Sequence, residues 1–502
     1  MLNARRILIL TVKNNTNLKS IFICKRTIFF SYLFVLGFLT LLMFIGNCDY
    51  LYAFVLISWV TMMFYCLNKL TERIGLFCYG IAFFAFLLGR DGMVYLFGFD
   101  GDVSKFSSNV NQHAYISLLL GLTGVWFSYM YFYKDKYHRK KIVNNSTQIK
   151  FYDYVRHYSL IAFYIVYPFA ILVNLAIAYF VIKFGYAAKF TDLRSLVENT
   201  PIFYTISKIE LLLPTAFSVF MATLPDKKNF VKIVKPYLFY LLLTLGTGGR
   251  GDFILGILLI IIFMGLMQNL EPNIVWIDKR KMRLALIIGV PVIAIGGSLM
   301  NIVRFGQSAQ NVSILESFPN FFYEQGVTCN AIKNAYIYED KIPQQKDLYT
   351  LEFLHTGLPA RILGNKVYQG NNLDHATKGG SFTHALGYTI MGHTYLSGQG
   401  TGTSYIAELY YDFGYIGIFF GSCIYGYIFS LINNFRRAGL FSRSIVFIII
   451  TKLLWAPRGA FSGFLSFIFA PTTIALLLFV FAAAQISYVS FLKKQHHKIS
   501  TI

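Results

Sequence analysis

The sequence predicts an all-α, polytopic membrane protein of about twelve transmembrane helices with both termini cytoplasmic. Three observations carry that reading. Of 502 residues, 56% are apolar and only 14% charged, and mean hydropathy is +0.54, whereas a typical soluble chain is roughly 25% charged. Apolar runs recur from near residue 28 to near residue 492, and a helix needs about 20 such residues to cross hydrocarbon. The basic residues also alternate from loop to loop, as a membrane topology requires.

Taken in order, the expected spans are 28–46, 50–67, 74–97, 113–133, 158–182, 202–224, 231–247, 252–269, 283–303, 405–432, 444–456 and 460–484. The first 27 residues are basic, but their apolar stretch is too short for a signal-peptide core, so they read as an uncleaved cytoplasmic start. With that start inside, the alternate loops 1–27, 68–73, 134–157, 225–235, 270–283, 433–443 and 493–502 hold 29 of the 45 Lys and Arg residues. Topology thus accounts for the net charge of +22, and nucleic-acid binding is not needed to explain it. The chain divides into a nine-span region (1–303), a large outer loop (304–404) and a three-span region (405–502). The outer loop is expected to carry short amphipathic helices near 312–324 and 349–363. Ten glycines between 357 and 402 suggest a flexible cover over a cavity. The six cysteines (24, 48, 66, 78, 329 and 423) form no CxxC pair, which excludes a disulfide framework and a zinc site.

Three features fall on the outer face: the turn Gly246–Asp252, the loop 304–404 and the Pro457-Arg458-Gly459 break. Arg250 lies between Gly249 and Gly251, so the surrounding amides can line an anion site, and its guanidinium offers a planar fork that suits phosphate. Arg304, Arg361 and Arg458 approach the same face from separate segments, making a candidate anion-binding cluster. Arg90 and Asp91 read as a structural ion pair. Glu408 and Asp412, four residues apart, share one helix face at the outer start of the tenth span. Glu408 also suits a first helical turn, where acidic residues complement the helix dipole. Glu324 follows an aromatic cluster. Of the loop histidines 355, 375, 384 and 393, His355 is the candidate base. No metal-ligand spacing occurs among them, and neither a metal nor another cofactor is expected.

The segment from Gly400 through Glu408 and Asp412 to Gly417 resembles the G-S-S-x-I-A-E-x-Y-x-N/D-F-G-x-x-G signature of Wzy-type polysaccharide repeat-unit polymerases. Gly248-Gly249-Arg250-Gly251 is similar to their G-S-R-G turn, with Gly249 where Ser is common, and Phe322–Gly326 is also family-like. The resemblance implies an integral-membrane glycosyltransferase of the bacterial plasma membrane that builds O-antigen or capsule on the outer face. Donor and acceptor would both be undecaprenyl-diphosphate-linked oligosaccharides. Further partners would be the bilayer, a chain-length regulator and a flippase of the same pathway. On that reading Arg250, Arg361, Arg458 and Arg304 bind the diphosphate. Glu408, Glu324 or His355 activates the acceptor hydroxyl, and Gly249, Gly251, Tyr405 and Asp412 line the substrate cavity. Three other activities compete: a polysaccharide ligase, a lipid-linked oligosaccharide flippase and a membrane acyltransferase. The flippase would need charge deep in the bundle, and the acyltransferase a histidine–acid pair near the membrane. The sequence separates polymerase from ligase poorly.

Overall fold

A computed structural model describes residues 25–46, 48–99, 102–133, 146–189, 192–248, 250–278, 314–433 and 438–500. Among them every regular element is helical. Ten helices are long and apolar enough to cross a membrane: Ile28–Ile45, Tyr50–Leu67, Ile74–Phe97, Ser108–Phe132, Lys150–Phe184, Pro201–Ala222, Gly251–Leu270, Tyr405–Asn433, Leu440–Arg458 and Pro471–Gln495.

Two of the twelve expected spans are missing from that set. The expected span 283–303 lies outside the described residues. The region 231–247 belongs to a helix, Lys227–Gly246, whose first turns carry Lys227, Lys228, Lys232 and Lys235; these charges keep its apolar stretch short. The last span starts later than expected, at Pro471 instead of 460. The residues between form a short helix, Gly463–Ile468, because hydropathy alone does not register the break at the Ala470–Pro471 junction. The glycine-rich stretch expected to be a flexible cover is mostly helical, with segments Gly357–Leu363, Leu373–Lys378, Phe382–Met391 and His393–Leu396.

The largest departure is the tenth expected span. Residues 405–433 are helical throughout except at Gly414, whose backbone sits at φ 65° and ψ −160°. An L-residue with a side chain is sterically excluded from that region, which is essentially confined to glycine. The chain reverses there. The Tyr405 ring lies 4.9 Å from that of Tyr425, and the Tyr405 hydroxyl is 3.4 Å from Ser422 Oγ. A straight helix would separate residues 17 apart by about 25 Å. A Cβ on Gly421 would strike the Leu409 side chain, so the limbs 405–413 and 415–433 lie side by side as a hairpin.

The Ser108–Phe132 helix supplies a ruler for that hairpin. His113, near its start, packs on Tyr410 and Tyr415. Further along, Gly121 faces Tyr405 and Ile406, and Gly124 faces Phe419 and Ser422. A Cβ on Gly426 would meet the Val125 carbonyl, so these backbones approach as closely as small residues allow between membrane helices. The second limb therefore runs parallel to the 108–132 helix and the first runs back against it. Nineteen residues span about 28 Å, a full crossing, and nine span only about 13 Å. Glu408 thus sits on a half-length limb.

Replacing Gly414 by Ala forces a side chain into the reversal, at a cost of about 1–3 kcal/mol. The expected result is a lower thermal midpoint for the protein in lipid nanodiscs. An unchanged midpoint would mean the chain continues straight through residue 414.

Candidate functional site

The site is organised by the short break that follows the Leu440–Trp455 helix. Ala456–Arg458 forms a single 3-10 turn, and Pro457 fits such a turn because it lacks an N–H to leave unsatisfied. From this turn and the residues flanking it, 455–462, side chains and backbone reach four neighbours. A Cβ on Gly251 would lie 2.7 Å from the Trp455 ring, so the glycine-arginine turn packs directly on the tryptophan. Arg458 Nη1 donates to the Gln325 carbonyl at 3.3 Å and to Gln325 Oε1 at 3.1 Å, joining the break to the Ile314–Gln325 helix. The Phe461 amide donates to Glu408 Oε2 at 2.7 Å. The Phe353 amide donates to Ser462 Oγ at 3.2 Å, which ties in the 3-10 helix Tyr349–His355.

Glu408 has no accessible surface. Its Oε2 takes the Phe461 amide, while Oε1 is buried and finds no hydrogen-bond donor. Asp412, one helical turn on, accepts the amides of Tyr349 at 3.3 Å and Thr350 at 2.8 Å. It therefore satisfies two N–H groups at the start of the 349–355 helix, groups that a helix cannot satisfy itself. Tyr405 is fully buried, its hydroxyl 2.9 Å from that of Tyr79, so no face of its ring is open to a ligand.

The other candidates are placed as follows. His355 Nε2 lies 3.2 Å from Asp347 Oδ2 at the edge of the site. Glu324 is half-buried beside Gln325, the partner of Arg458. Arg361 is exposed on the Gly357–Leu363 helix. Arg250 opens its helix, with its side chain outside the described residues, as are Gly249 and Arg304. The structure thus brings Glu408, Arg458 and Gly251 to one break and Asp412 to the adjoining helix, without drawing the exposed Arg361 into these bonds.

Arg90 and Asp91, read from sequence as a pair, are directed to different partners. Asp91 Oδ2 pairs with Lys333 Nζ at 2.8 Å, both side chains fully buried, and accepts from the Tyr115 hydroxyl at 2.9 Å. Burial opposes the Lys333 ammonium, but the Asp91 carboxylate more than offsets it and holds the lysine above its usual range. Arg90 lies 4.0 Å over the Tyr323 ring and donates to its carbonyl at 3.0 Å. These bonds fasten the Ile314–Gln325 and Thr328–Ile337 helices to the span Ile74–Phe97, and so hold Gln325 opposite Arg458.

Sequence reasoning missed Glu352. The residue is half-buried, and burial pushes its pKa up while the Ser381 hydroxyl opposes the shift. No motif marks it; its only signal is a carboxylate in an otherwise apolar TLEFL run. Farther out, His375 and His384 stack with ring centroids 3.6 Å apart. Their Nδ1 atoms lie 2.8 Å from the Gly370 carbonyl and the Tyr395 hydroxyl. Burial, then the neighbouring His375 and Arg194, lowers the His384 pKa to about 4. No group of three or more His, Cys, Asp or Glu residues forms a metal cluster among the described residues.

A family model described as O-antigen polysaccharide polymerase Wzy matches residues 27–490. No curated protein and no solved structure matches the chain.

Two measurements test this geometry. Asp412→Ala leaves two amide donors without their acceptor, at about 1–3 kcal/mol for such a loss; hydrogen exchange should accelerate at Tyr349 and Thr350 and leave the 108–132 helix unchanged. The histidine pair makes the outer segment sensitive to acid. His384 binds its proton less readily when folded than when unfolded, so its contribution is complete above about pH 6.5 and is lost as pH falls toward 4. Exchange within residues 373–396 should therefore rise at pH 4.5 relative to pH 7, and equal protection would contradict the stacked neutral pair.

Proposed function

The chain belongs to the O-antigen polysaccharide polymerase Wzy family, and from that premise we propose that it joins lipid-diphosphate-linked oligosaccharide repeat units by glycosyl transfer. Donor and acceptor are both undecaprenyl-diphosphate-linked, and transfer takes place on the outer face of the bacterial plasma membrane. One observation supports the placement of the reaction: a fully buried carboxyl, Glu408, is hydrogen-bonded to the same short break that carries Arg458 and rests on the Arg250 turn.

The chemistry follows from what each group can do. The acceptor sugar hydroxyl attacks the anomeric carbon of the donor. A C–O bond forms there as the bond to the lipid diphosphate breaks, and the departing electron pair stays on the diphosphate. The leaving group is already weakly basic, so fixed positive charge is the main requirement, and arginine meets it with a planar fork that matches phosphate oxygens. Arg458 and Arg250 take that role. The hydroxyl proton must go to a base within hydrogen-bond reach; Glu408, enclosed in this structure, takes it once the bound repeat unit opens that enclosure. The fold already withholds water from Glu408, which limits competing hydrolysis.

Purified protein in lipid, supplied only with the lipid-linked repeat unit, should produce a ladder of longer lipid-linked chains without nucleotide sugar or added metal. Glu408→Gln should slow chain growth about 100-fold or more, the usual scale for losing a positioned base. Arg458→Lys should lower the rate by a similar factor by removing the fork. Transfer to a different acceptor with no ladder would identify a ligase instead. Movement of the lipid across the bilayer with no transfer would identify a flippase.

A further inference from the structure

At the end of the bundle remote from the break, three helices leave a groove between them. It has a volume of about 460 Å³. Phe151 and Tyr152 line it from the Ser146–Phe184 helix, Leu440 from the Leu440–Trp455 helix, and Phe481, Gln485 and Tyr488 from the Pro471–Ser500 helix. The Leu440–Trp455 helix runs from this groove to the break. Its 16 residues rise about 24 Å, so groove and break lie at opposite ends of one span.

The walls of the groove are aromatic and its mouth is basic. Phe151 meets Tyr488 edge-on at 5.8 Å, and Phe441 meets Phe481 at 5.5 Å, so rings from different helices hold one another in place. Lys150, next to Phe151, lies 5.7 Å over the Phe491 ring. Lys493 and Lys494 follow Phe491 on the same helix, and all three lysines are exposed. Arg443, one turn into its helix, is buried with its guanidinium carbon 5.7 Å over the Tyr152 ring. Within 146–157, 438–446 and 481–500 the sequence holds one acid, Asp153, and its carboxylate lies 3.6 Å from Arg156. The mouth therefore carries a clear excess of positive charge. Two further features set the groove apart from plain lipid-facing surface. Gln485 places an amide among the rings, where a polar side chain is costly unless something bonds to it. Gly439 gives the Leu440–Trp455 helix no side-chain cap, so the groove borders a helix start whose amides and dipole favour an anion.

We propose that this groove binds one anionic glycerophospholipid. An acyl chain lies against Phe151, Phe481 and Tyr488, Gln485 bonds to an ester oxygen, and the phosphate sits at the mouth among Lys150, Lys493 and Lys494. Membrane topology accounts for basic loops at this end of the bundle, but it does not account for an apolar groove that opens on them. Basic pockets between membrane helices suit anionic headgroups for this combination of apolar wall and cationic rim. The bound lipid braces three helices at once. One of them carries the break at its other end, and the Pro471–Ser500 helix begins shortly after it. The proposal goes beyond the polymerase reading and does not depend on it.

The test is native mass spectrometry of the full chain in detergent, titrated with phosphatidylglycerol or with phosphatidylcholine of the same acyl chains. One equivalent of phosphatidylglycerol should bind about tenfold or more tighter than phosphatidylcholine, the scale expected of a few lysines near a phosphate. Lys150→Ser, Lys493→Ser and Lys494→Ser, made together, should erase that preference; the three side chains are exposed, so the packing is left alone. Gln485→Trp, which fills the groove, should remove the tight equivalent. Equal affinity for the two lipids in the wild type overturns the proposal. So does a preference that survives the triple variant, or a tight equivalent that survives Gln485→Trp.

Discussion

A carboxyl group with no accessible surface has to be justified by its surroundings, and at Glu408 that requirement shapes everything nearby. The Phe461 amide reaches Oε2 only because the chain breaks at Ala456–Arg458 instead of running straight into the last span. The same break presents Trp455 to Gly251, Arg458 to Gln325 and Ser462 to the 349–355 helix. Helical membrane segments satisfy their own backbone, so a free amide at such depth is available only where a helix is interrupted inside protein. The interruption is therefore the element on which the site depends.

The hairpin at Gly414 completes the arrangement. A straight helix would place Glu408 and Asp412 at opposite ends of a turn leading away from the break. The reversal folds the short limb back along the 108–132 helix. Tyr405 is then locked against Tyr79, Ser422 and Tyr425, and Glu408 is turned toward Phe461. Asp412, higher on that limb, captures the amides of Tyr349 and Thr350. Two carboxylates one turn apart thus do different work: one stays enclosed, and the other fastens the outer segment above it. The buried Asp91–Lys333 pair fastens the opposite side of that segment.

The sequence made much of this legible, and the limits have physical causes. Apolar runs revealed most of the spans because a bilayer imposes length and hydropathy directly. Glu408, Asp412, Gly249 and Gly251 stood out because charge and glycine are conspicuous in apolar surroundings. The hairpin was hidden, since both limbs are apolar and a reversal needs only one residue able to adopt φ 65°. The divergent partners of Arg90 and Asp91 were hidden too, because Lys333 lies 242 positions from Asp91 and no local pattern announces such a contact. Glu352 escaped for the same reason: the bonds that hold its helix run to Asp412 and Ser462, both distant in sequence. The arginines show the converse. Four were conspicuous in sequence, but Arg361 is exposed, while Arg458 is drawn in by Gln325, a residue with no charge to attract notice.

The most direct test of the account is a structure of the protein in lipid with a non-transferable lipid-linked repeat unit bound. It should show the diphosphate within hydrogen-bond distance of the Arg458 guanidinium and a sugar hydroxyl at Glu408, with the Phe461 amide still on Glu408. A repeat unit bound elsewhere, with the break at 456–462 untouched, would contradict it.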